Sequence, residues 1–305
     1  MANLGFIGLG AMGSRIAERL LRGGHSMTVF DRNAKRAEAL AAKGAAVAAT
    51  PAEVAARSEI VLSCVTDDAA VEAVFLGRGG ALERVLPGAL VVDLSTVSPV
   101  TSRLLADAAR GKGVAFVDAA MSGSTPQAEQ GALVVFAGGE PAAMERARPI
   151  LDTVAKTVVH MGPAGAGTTM KLVVNTLLGA GVQILAEALA LGEKAGIGRE
   201  RLAEVLDETV VISPAQRAKL ANAVANEFPS TFPVRLMYKD FILILAHAAA
   251  LAVPMPTTAV AAQLCAAQDA LGPDEDFSAT IRLMRQLARV PASEALTTGA
   301  GAQSR

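Results

Sequence analysis

The sequence predicts an α/β domain with a doubly wound parallel sheet, followed by an all-α domain. The chain has 305 residues, more than a single hydrophobic core usually holds, so two domains are expected. Up to about Gly162, short apolar runs alternate with stretches of helical periodicity. From Met170 to about Gln286 only the helical pattern continues. Hydrophobic residues make up 52% of the chain and charged residues 19%, which favours a folded protein over a disordered one.

The first elements form one βαβ unit. Residues 4–7 are a short apolar run, GLGAMG makes a turn, and residues 11–22 place apolar side chains at helical spacing. A second strand at 27–30 ends at Asp31, and a helix at 34–43 follows. Further strands are predicted at 59–65, 89–94, 115–118, 132–137 and 157–160, and further helices at 69–75, 100–110 and 141–155. Parallel strands joined by helical crossovers are therefore expected.

The remainder of the chain is predicted to be helical. Breaks between helices are expected at 196–198, 213–214, 228–233 and 272–273, where glycine, proline and polar residues cluster. We place the domains at 1–162 and 163–292. Residues 293–305 lack apolar periodicity, so we expect a flexible tail there.

One apolar stretch, at 172–192, is long enough to suggest a membrane span. It contains Asn175, Gln183 and Glu187, each of which is costly in lipid. A buried helix is the better interpretation, and we expect no membrane partner. The same helix is apolar nearly all round, which favours a homo-oligomer, either a dimer or a tetramer.

Charge and cysteine content exclude several classes of function. The formal net charge is -1 and the basic residues are dispersed, so no nucleic-acid partner is expected. Cys64 and Cys265 cannot form a disulfide framework and have no zinc-ligand spacing, and the three histidines are scattered, so no metal site is predicted. The apolar start lacks the basic region of a signal peptide, and a reducing, cytoplasmic location is expected.

Three glycines after the first strand, Gly8, Gly10 and Gly13, match GxGxxG between a strand and a helix. In a Rossmann domain the first glycine permits a tight turn, the second lets the backbone approach a pyrophosphate, and the third allows close helix packing. The pyrophosphate then lies at a helix N-terminus, which favours an anion. The sequence therefore predicts an NAD or NADP site whose loop consists of Gly8, Leu9, Gly10, Ala11, Met12 and Gly13.

Two residues after the second strand bear on the choice of cofactor. Asp31 is placed to accept hydrogen bonds from the adenosine ribose hydroxyls and to repel a 2′-phosphate, which favours NAD. Arg32 follows directly, and its guanidinium suits a 2′-phosphate, although a solvated surface charge explains it equally well. We lean to NAD, and NADP stays open.

A second constellation lies at 162–175, where a Gly-rich loop leads into a helix. Lys171 and Asn175 are four residues apart and therefore share one helical face. Desolvation disfavours the charged form of a lysine in an apolar helix, which makes it a competent proton donor or acceptor. Taken alone, the pattern fits equally well a snorkelling lysine and a helix-interior asparagine.

The chain as a whole resembles the β-hydroxyacid dehydrogenase family from about residue 4 to residue 287. Five motifs in order carry the resemblance: GFIGLGAMG at 5–13, DLST at 93–96, DAAMSGS at 118–124, GAGTTMKLVVN at 165–175 and YKD at 238–240. The family usually reads DAPVSGG where this chain has Ala120, Met121 and Ser124. This segment is most similar to the glyoxylate/succinic semialdehyde reductase branch, whereas Asp31-Arg32 is more similar to tartronate semialdehyde reductase.

The resemblance implies roles for individual residues. Lys171 would be the catalytic acid/base and Asn175 would help to hold the substrate. Ser122 and Gly123, with Ser124 beside them, would receive the substrate carboxylate. The implied cofactor-binding residues beyond the Gly-rich loop are Asp31, Arg32, Val65, Thr66, Ser95, Thr96 and Lys239, with Ser95 and Thr96 against the nicotinamide ribose and Lys239 closing over the cofactor.

The function expected from these residues is NAD(P)-dependent interconversion of a small carboxylated aldehyde or ketone and its hydroxy acid, in a cleft between domains. Two alternatives are kept. An imine reductase has the same architecture, but that group places Asp or Tyr where this chain has Lys171. A non-catalytic NAD(P)-binding protein is the other, and the presence of both Lys171 and Lys239 argues against it.

Overall fold

The computed structural model describes residues 1–291, so the tail predicted at 293–305 lies outside the described residues. The chain forms two compact units, Met1–Val174 and the part from Asn175 onward. The division falls within one continuous helix, and the domain limits given above stay a prediction. The first unit is α/β and the second is helical, which confirms the predicted fold class.

An eight-stranded sheet forms the centre of the first unit. Its strands are β1 (Asn3–Ile7), β2 (Ser26–Phe30), β3 (Ala46–Val47), β4 (Ile60–Ser63), β5 (Leu90–Asp93), β6 (Ala115–Ser122), β7 (Leu133–Gly139) and β8 (Ala155–Gly162). Their order across the sheet is β3-β2-β1-β4-β5-β6-β7-β8. The two-residue edge strand β3 was not predicted, because both of its residues are exposed and carry no alternating pattern.

The strand β7 departs from the predicted parallel arrangement. It runs antiparallel to β6, whereas every other neighbouring pair in the sheet is parallel. The connection from Ser122 to Leu133 contains one six-residue helix and is shorter than a parallel crossover requires. The chain direction therefore reverses between β6 and β7, directly after the segment that contains Ser122 to Ser124.

Helices cover both faces of this sheet. They are α1 (Ala11–Arg22), α2 (Ala34–Ala41), α3 (Pro51–Ala55), α4 (Asp68–Leu76), α5 (Ala81–Arg84), α6 (Pro99–Arg110), α7 (Thr125–Gln130) and α8 (Pro141–Val154). Phe6 lies in the core on one face and Phe75 in the core on the other, both almost fully buried. Burying one such side chain stabilises the fold by roughly 1.5–3 kcal/mol, so each face has a substantial core.

The helix α9 (Ala166–Lys194) begins in the first unit and continues into the second. It starts four residues earlier than Met170, where the sequence pattern placed it. Within residues 1–291 it is the one helix long and apolar enough to cross a membrane, and half of its most apolar window is buried. Gln183, counted above as costly in lipid, is buried and donates a hydrogen bond to Glu187.

The second unit continues with five more helices. They are α10 (Arg199–Asp207), α11 (Pro214–Ala225), α12 (Val234–Ala250), α13 (Pro256–Asp269) and α14 (Thr280–Leu287), with a 3-10 turn at Phe277–Ala279. The four predicted breaks all occur. A fifth break between α12 and α13 was missed because its other residues are apolar, although Pro254 and Pro256 are signals of a helix end. Ala252 adopts φ 55° there.

A buried carboxylate joins two loops of the second unit. Asp276 accepts hydrogen bonds from Lys219, from Ser278 and from the backbone and hydroxyl of Thr231. Burial by itself raises the pKa of this carboxyl, but the hydrogen bonds and the charge of Lys219 outweigh it and hold the pKa below its usual value. Asp276 is therefore a structural anion.

Candidate active site

The Gly-rich loop leads from β1 into α1 and has the backbone that its sequence predicts. Gly8 has φ +93°, and a Cβ there would lie 2.4 Å from the carbonyl oxygen of Cys64. A Cβ at Gly13 would lie 2.1 Å from the carbonyl oxygen of Gly8. At Gly10 a Cβ would meet nothing within 4 Å. The first and third glycines are thus required by the fold, whereas Gly10 keeps a surface open at the start of α1.

Leu9, in the same loop, is tied to the end of β2. Its backbone N–H donates a 2.7 Å hydrogen bond to Oδ2 of Asp31, and the other oxygen of Asp31 accepts from the Asn33 N–H at 2.8 Å. Arg36 lies 3.8 Å from the same carboxylate, whereas Arg32 is exposed. The structure thus places Asp31 against the Gly-rich loop and brings Arg36, a cation not among the predicted site residues, close to Asp31.

A second carboxylate organises the ends of β4 and β5. Asp93 is buried, and its Oδ1 accepts from the hydroxyls of Ser63 and Ser95, each at 2.7 Å. The Val65 N–H donates to the Ser95 hydroxyl at 2.9 Å, which links the loops that hold the predicted cofactor residues Val65, Thr66, Ser95 and Thr96. Asp93 therefore sets the spacing of these two loops.

The ionisation of Asp93 is perturbed. Burial raises the pKa of this carboxyl to about 6, although the hydrogen bonds from Ser63 and Ser95 lower it, and the nearby Asp118 carboxylate adds to the rise. Its Oδ2 has no hydrogen-bond partner among residues 1–291. The site thus holds a buried acid whose charged form is poorly compensated.

The predicted substrate residues lie at the end of β6. Ser122 is the last residue of the strand and is partly exposed. Gly123 has φ +134°, and a Cβ there would lie 2.7 Å from the side chain of Leu133. Ser124 is the N-cap residue of α7, and its N–H and hydroxyl both donate to Oε1 of Gln127. This turn exposes a hydroxyl and a backbone with no side chain at Gly123, a combination that suits a carboxylate.

Asp118, four residues before Ser122 on β6, holds the start of α9. Its Oδ1 accepts from the Gly165 N–H at 2.7 Å, and its Oδ2 accepts from the Thr168 N–H at 2.7 Å and the Thr168 hydroxyl at 3.0 Å. Burial raises the pKa of this carboxyl, whereas the three hydrogen bonds act to lower it. The helix that carries Lys171 is therefore anchored on the central sheet.

On α9, Lys171 is partly exposed and Asn175 is fully buried one helical turn further on. In the second unit the Asn175 amide donates a 2.5 Å hydrogen bond to Oδ2 of Asp240, and the Lys239 ammonium lies 3.1 Å from Oδ1 of the same carboxylate. The Asn175 Oδ1 has no hydrogen-bond partner within the described part of the chain. Asp240 thus brings together two predicted site residues from separate helices.

Asp93 and Asp118 were not among the predicted site residues. They lie in the DLST and DAAMSGS motifs and within apolar strands, where an unpaired acid is unusual. An acid within an apolar strand indicates that hydrogen-bond partners exist, but the partners of these two residues are distant in sequence and were therefore not predictable. Among residues 1–291, no group of three or more histidine, cysteine, aspartate and glutamate side chains is arranged to hold a metal.

Comparison with known proteins decides the family. Residues 3–162 match the NAD binding domain of 6-phosphogluconate dehydrogenase, and residues 165–284 match the NAD-binding domain of NADP-dependent 3-hydroxyisobutyrate dehydrogenase. The chain is 37% identical to 2-(hydroxymethyl)glutarate dehydrogenase of Eubacterium barkeri, over 95% of this chain and 97% of the relative. The chain belongs to the β-hydroxyacid dehydrogenase family.

Further similarity is equally extensive. The chain is 34% identical to glyoxylate/succinic semialdehyde reductase 1 of Arabidopsis thaliana, over 92% of this chain and 98% of the relative. The crystal structure of 3-hydroxyisobutyrate dehydrogenase from Salmonella typhimurium is similar with a TM-score of 0.84 and 31% identity, over 93% of this chain and all of that one. The protein is therefore an NAD(P)-dependent β-hydroxyacid dehydrogenase, and the prediction of an oxidoreductase with a nicotinamide cofactor is confirmed.

Proposed function

We propose that this dehydrogenase interconverts a small carboxylated aldehyde or ketone and its hydroxy acid, with Lys171 as the general acid/base. The observation that carries the proposal is the pair formed by Lys171 and Asn175 on α9. Asn175 is buried and its amide donates to Asp240, while Lys171, one turn before it on the same helical face, is partly exposed. A partly exposed lysine next to an oriented amide is suited to proton transfer with a substrate.

The residues of the Gly-rich loop fit a dinucleotide. The open surface at Gly10 admits a pyrophosphate at the start of α1, and Asp31 lies where the adenosine ribose is bound in Rossmann domains. The nicotinamide cofactor, when bound, supplies or accepts the hydride. Ser95 and Thr96 are proposed to lie against its ribose, and Lys239 to close over it.

The protein's own residues supply the proton chemistry. In reduction, the Lys171 ammonium donates a proton to the substrate carbonyl oxygen as that oxygen gains charge. In oxidation, the neutral Lys171 amine takes the hydroxyl proton. Asn175, one turn beyond Lys171 on α9, is proposed to help hold the substrate. Ser122 and Gly123 are proposed to receive the substrate carboxylate.

The names of the relatives support a carboxylated substrate. Hydroxymethylglutarate, glyoxylate, succinic semialdehyde and hydroxyisobutyrate all carry a carboxylate. Hydroxyl and backbone N–H donors, which the turn at Ser122 and Gly123 offers, are the groups that such an anion requires. The names of the relatives and the chemistry of this turn both support the proposed substrate class.

We propose NAD rather than NADP as the preferred cofactor. Asp31 has both carboxylate oxygens fixed by backbone N–H groups, so it cannot turn away from a 2′-phosphate, which it would repel. Arg36 offsets that charge only in part, because it lies 3.8 Å away and is exposed to solvent. Side-by-side kcat/KM values with NADH and NADPH test this preference, and a higher value with NADPH would refute it.

We also propose that the protein forms a homo-oligomer in which α9 contacts α9 of a second copy of the chain. Leu177, Ile184 and Leu191 are spaced seven residues apart on α9 and are 75%, 54% and 74% exposed. The stripe reads almost the same in both directions about Ile184, which suits a twofold contact between identical helices. Light scattering of Ile184→Glu should show a lower mass than the wild type, whereas Val100→Glu, at an exposed residue of α6, should not change it. Equal masses for all three proteins would refute this interface.

The role of Lys171 is tested by reduction of a panel of small carboxylated aldehydes with NADH and NADPH. Lys171→Ala should lower kcat by about 10²–10⁴-fold, as expected for loss of a general acid/base, with the NADH Kd unchanged within twofold. Near-equal turnover of wild type and variant on every active substrate would exclude the role. Turnover of a cyclic imine alone would favour an imine reductase, and NADH binding without any oxidation would favour a non-catalytic protein.

A further inference from the structure

We infer that Asp118 is a positioning residue for Lys171, because it fixes the N-terminus of α9 on the central sheet. The inference rests on the proposed role of Lys171 and assigns a task to a residue that has no contact with the reacting atoms in that proposal. Asp118 is fully buried in the middle of β6, and all of its partners lie in the first compact unit.

The contacts of Asp118 are directed at the helix start. Its two oxygens accept from the N–H groups of Gly165 and Thr168, at 2.7 Å each, which are among the amides that a helix N-terminus leaves without an internal partner. The Thr168 hydroxyl also donates to Asp118. The Ser102 hydroxyl of α6 lies 3.0 Å from the Thr168 hydroxyl. A carboxylate at this position satisfies the free N–H groups of the helix N-terminus, and its negative charge interacts favourably with the helix dipole.

The helix start is also packed against the sheet backbone without spare room. A Cβ at Gly138 of β7 would lie 2.6 Å from Oδ1 of Asp118 and 2.9 Å from the Gly167 nitrogen. A Cβ at Gly167 would lie 2.4 Å from the carbonyl oxygen of Phe136. The first turn of α9 therefore rests directly on β6 and β7, and it cannot shift without losing the hydrogen bonds to Asp118.

One carboxylate thus relates two parts of the proposed site. Ser122 lies four residues beyond Asp118 on β6, about 13 Å along the strand at ~3.3 Å per residue. Lys171 lies one turn beyond Thr168 on α9, about 5 Å along the helix axis. Because the strand and the helix are joined at Asp118, this residue sets where the acid/base is held relative to the group that receives the substrate carboxylate.

Asp118→Asn tests the inference while preserving shape. The amide keeps one acceptor oxygen and, in either orientation, places its NH₂ group against an N–H donor of Gly165 or Thr168. The matched control is Asp276→Asn, which also removes a buried, multiply hydrogen-bonded carboxylate but lies in the second unit. Both variants should lower the unfolding midpoint. Only Asp118→Asn should lower kcat, by about tenfold to a hundredfold, since small misplacements of a catalytic group have effects of this size.

Three further measurements separate positioning from general damage. The KM for the best carboxylated aldehyde and the NADH Kd should stay within about threefold of wild type in Asp118→Asn. Hydrogen exchange at residues 165–171 of the cofactor-free protein should become faster in Asp118→Asn and stay unchanged in Asp276→Asn. If Asp118→Asn does not fold, Thr168→Val and Thr168→Ser replace it, and only the valine variant should lose kcat, by severalfold.

The outcomes distinguish this inference from the function on which it rests. If Lys171→Ala is inactive and Asp118→Asn keeps kcat within twofold of wild type, the positioning role is overturned and the proposed function stands. If Lys171→Ala remains active, the proposed function itself fails. Equal loss of kcat in Asp118→Asn and Asp276→Asn, or equal kcat in the two Thr168 variants, would also overturn the positioning role.

Discussion

The buried carboxyl of Asp93 makes the stability of the fold depend on pH near neutrality. Its pKa is raised by burial from an ordinary value of 3.8 to about 6. An acid whose pKa is higher in the folded state binds its proton more tightly there, so stability falls as pH rises through this interval. The total loss is about 3 kcal/mol, of which roughly half falls between pH 5 and pH 8.

Asp93→Asn removes this dependence and keeps an oxygen that accepts from Ser63 and Ser95. The free energy of unfolding of wild type and variant should be measured by urea titration at pH 5 and pH 8, at matched ionic strength. The wild type should lose about 1 kcal/mol more than the variant over this range. Asp107→Asn, at a carboxylate that is 70% exposed in an ion pair with Arg110, is the control and should follow the wild type.

A variant whose pH dependence equals that of the wild type within about 0.3 kcal/mol, well below the expected difference, would refute the raised pKa of Asp93. The carboxyls held below their ordinary pKa do not interfere. Asp276 and Asp68 contribute stability that is lost only as pH falls below about 4. The pH 5 to pH 8 interval therefore reports mainly on the acids with raised pKa, and the variant removes Asp93 together with its charge interaction with Asp118.

Two glycine substitutions give further predictions. Gly10→Ala should leave the unfolding midpoint of the cofactor-free protein unchanged and weaken NADH binding by at least tenfold in calorimetry, because its Cβ meets no protein atom but enters the space that the cofactor needs. Gly13→Ala should lower both the unfolding midpoint and the NADH affinity, since its Cβ would lie 2.1 Å from a carbonyl oxygen. Unchanged NADH affinity in Gly10→Ala would contradict the cofactor assignment. Gly123→Ala should lower the unfolding free energy by about 1–3 kcal/mol through backbone strain and raise the KM for the carboxylated aldehyde, because Gly123 has φ +134° and lies against Leu133. A variant with wild-type KM would argue against a carboxylate-binding role for this turn.

The cofactor end of the molecule was predictable because its signal is local. Gly8, Gly10 and Gly13 act within one strand, one turn and one helix, so their spacing alone specifies the structure. Asp31 follows for the same reason, as the acid at the end of the next strand. The alternation of strands and helices likewise predicts the strands β1, β2 and β4 to β6, but not the short edge strand β3.

The remaining features depend on contacts between distant parts of the chain. Asp93 meets Ser63 across 30 residues, and Asp118 meets Gly165 and Thr168 across 47 and 50. No periodicity encodes such pairs, and an acid in an apolar strand shows only that some partner must exist. The reversal at β7 was missed because strand direction follows from the length of a connection rather than from the strand's own residues.

The antiparallel arrangement of β6 and β7 also has a consequence for how the molecule folds. The connection between β6 and β7 contains one short helix, whereas the parallel pairs β1–β2 and β1–β4 are joined by longer connections. Closing a short loop loses less chain entropy, so β6 and β7 can pair before the parallel strands assemble. We expect the surface that receives α9 to form early, as a template on which the helix bearing Lys171 is nucleated.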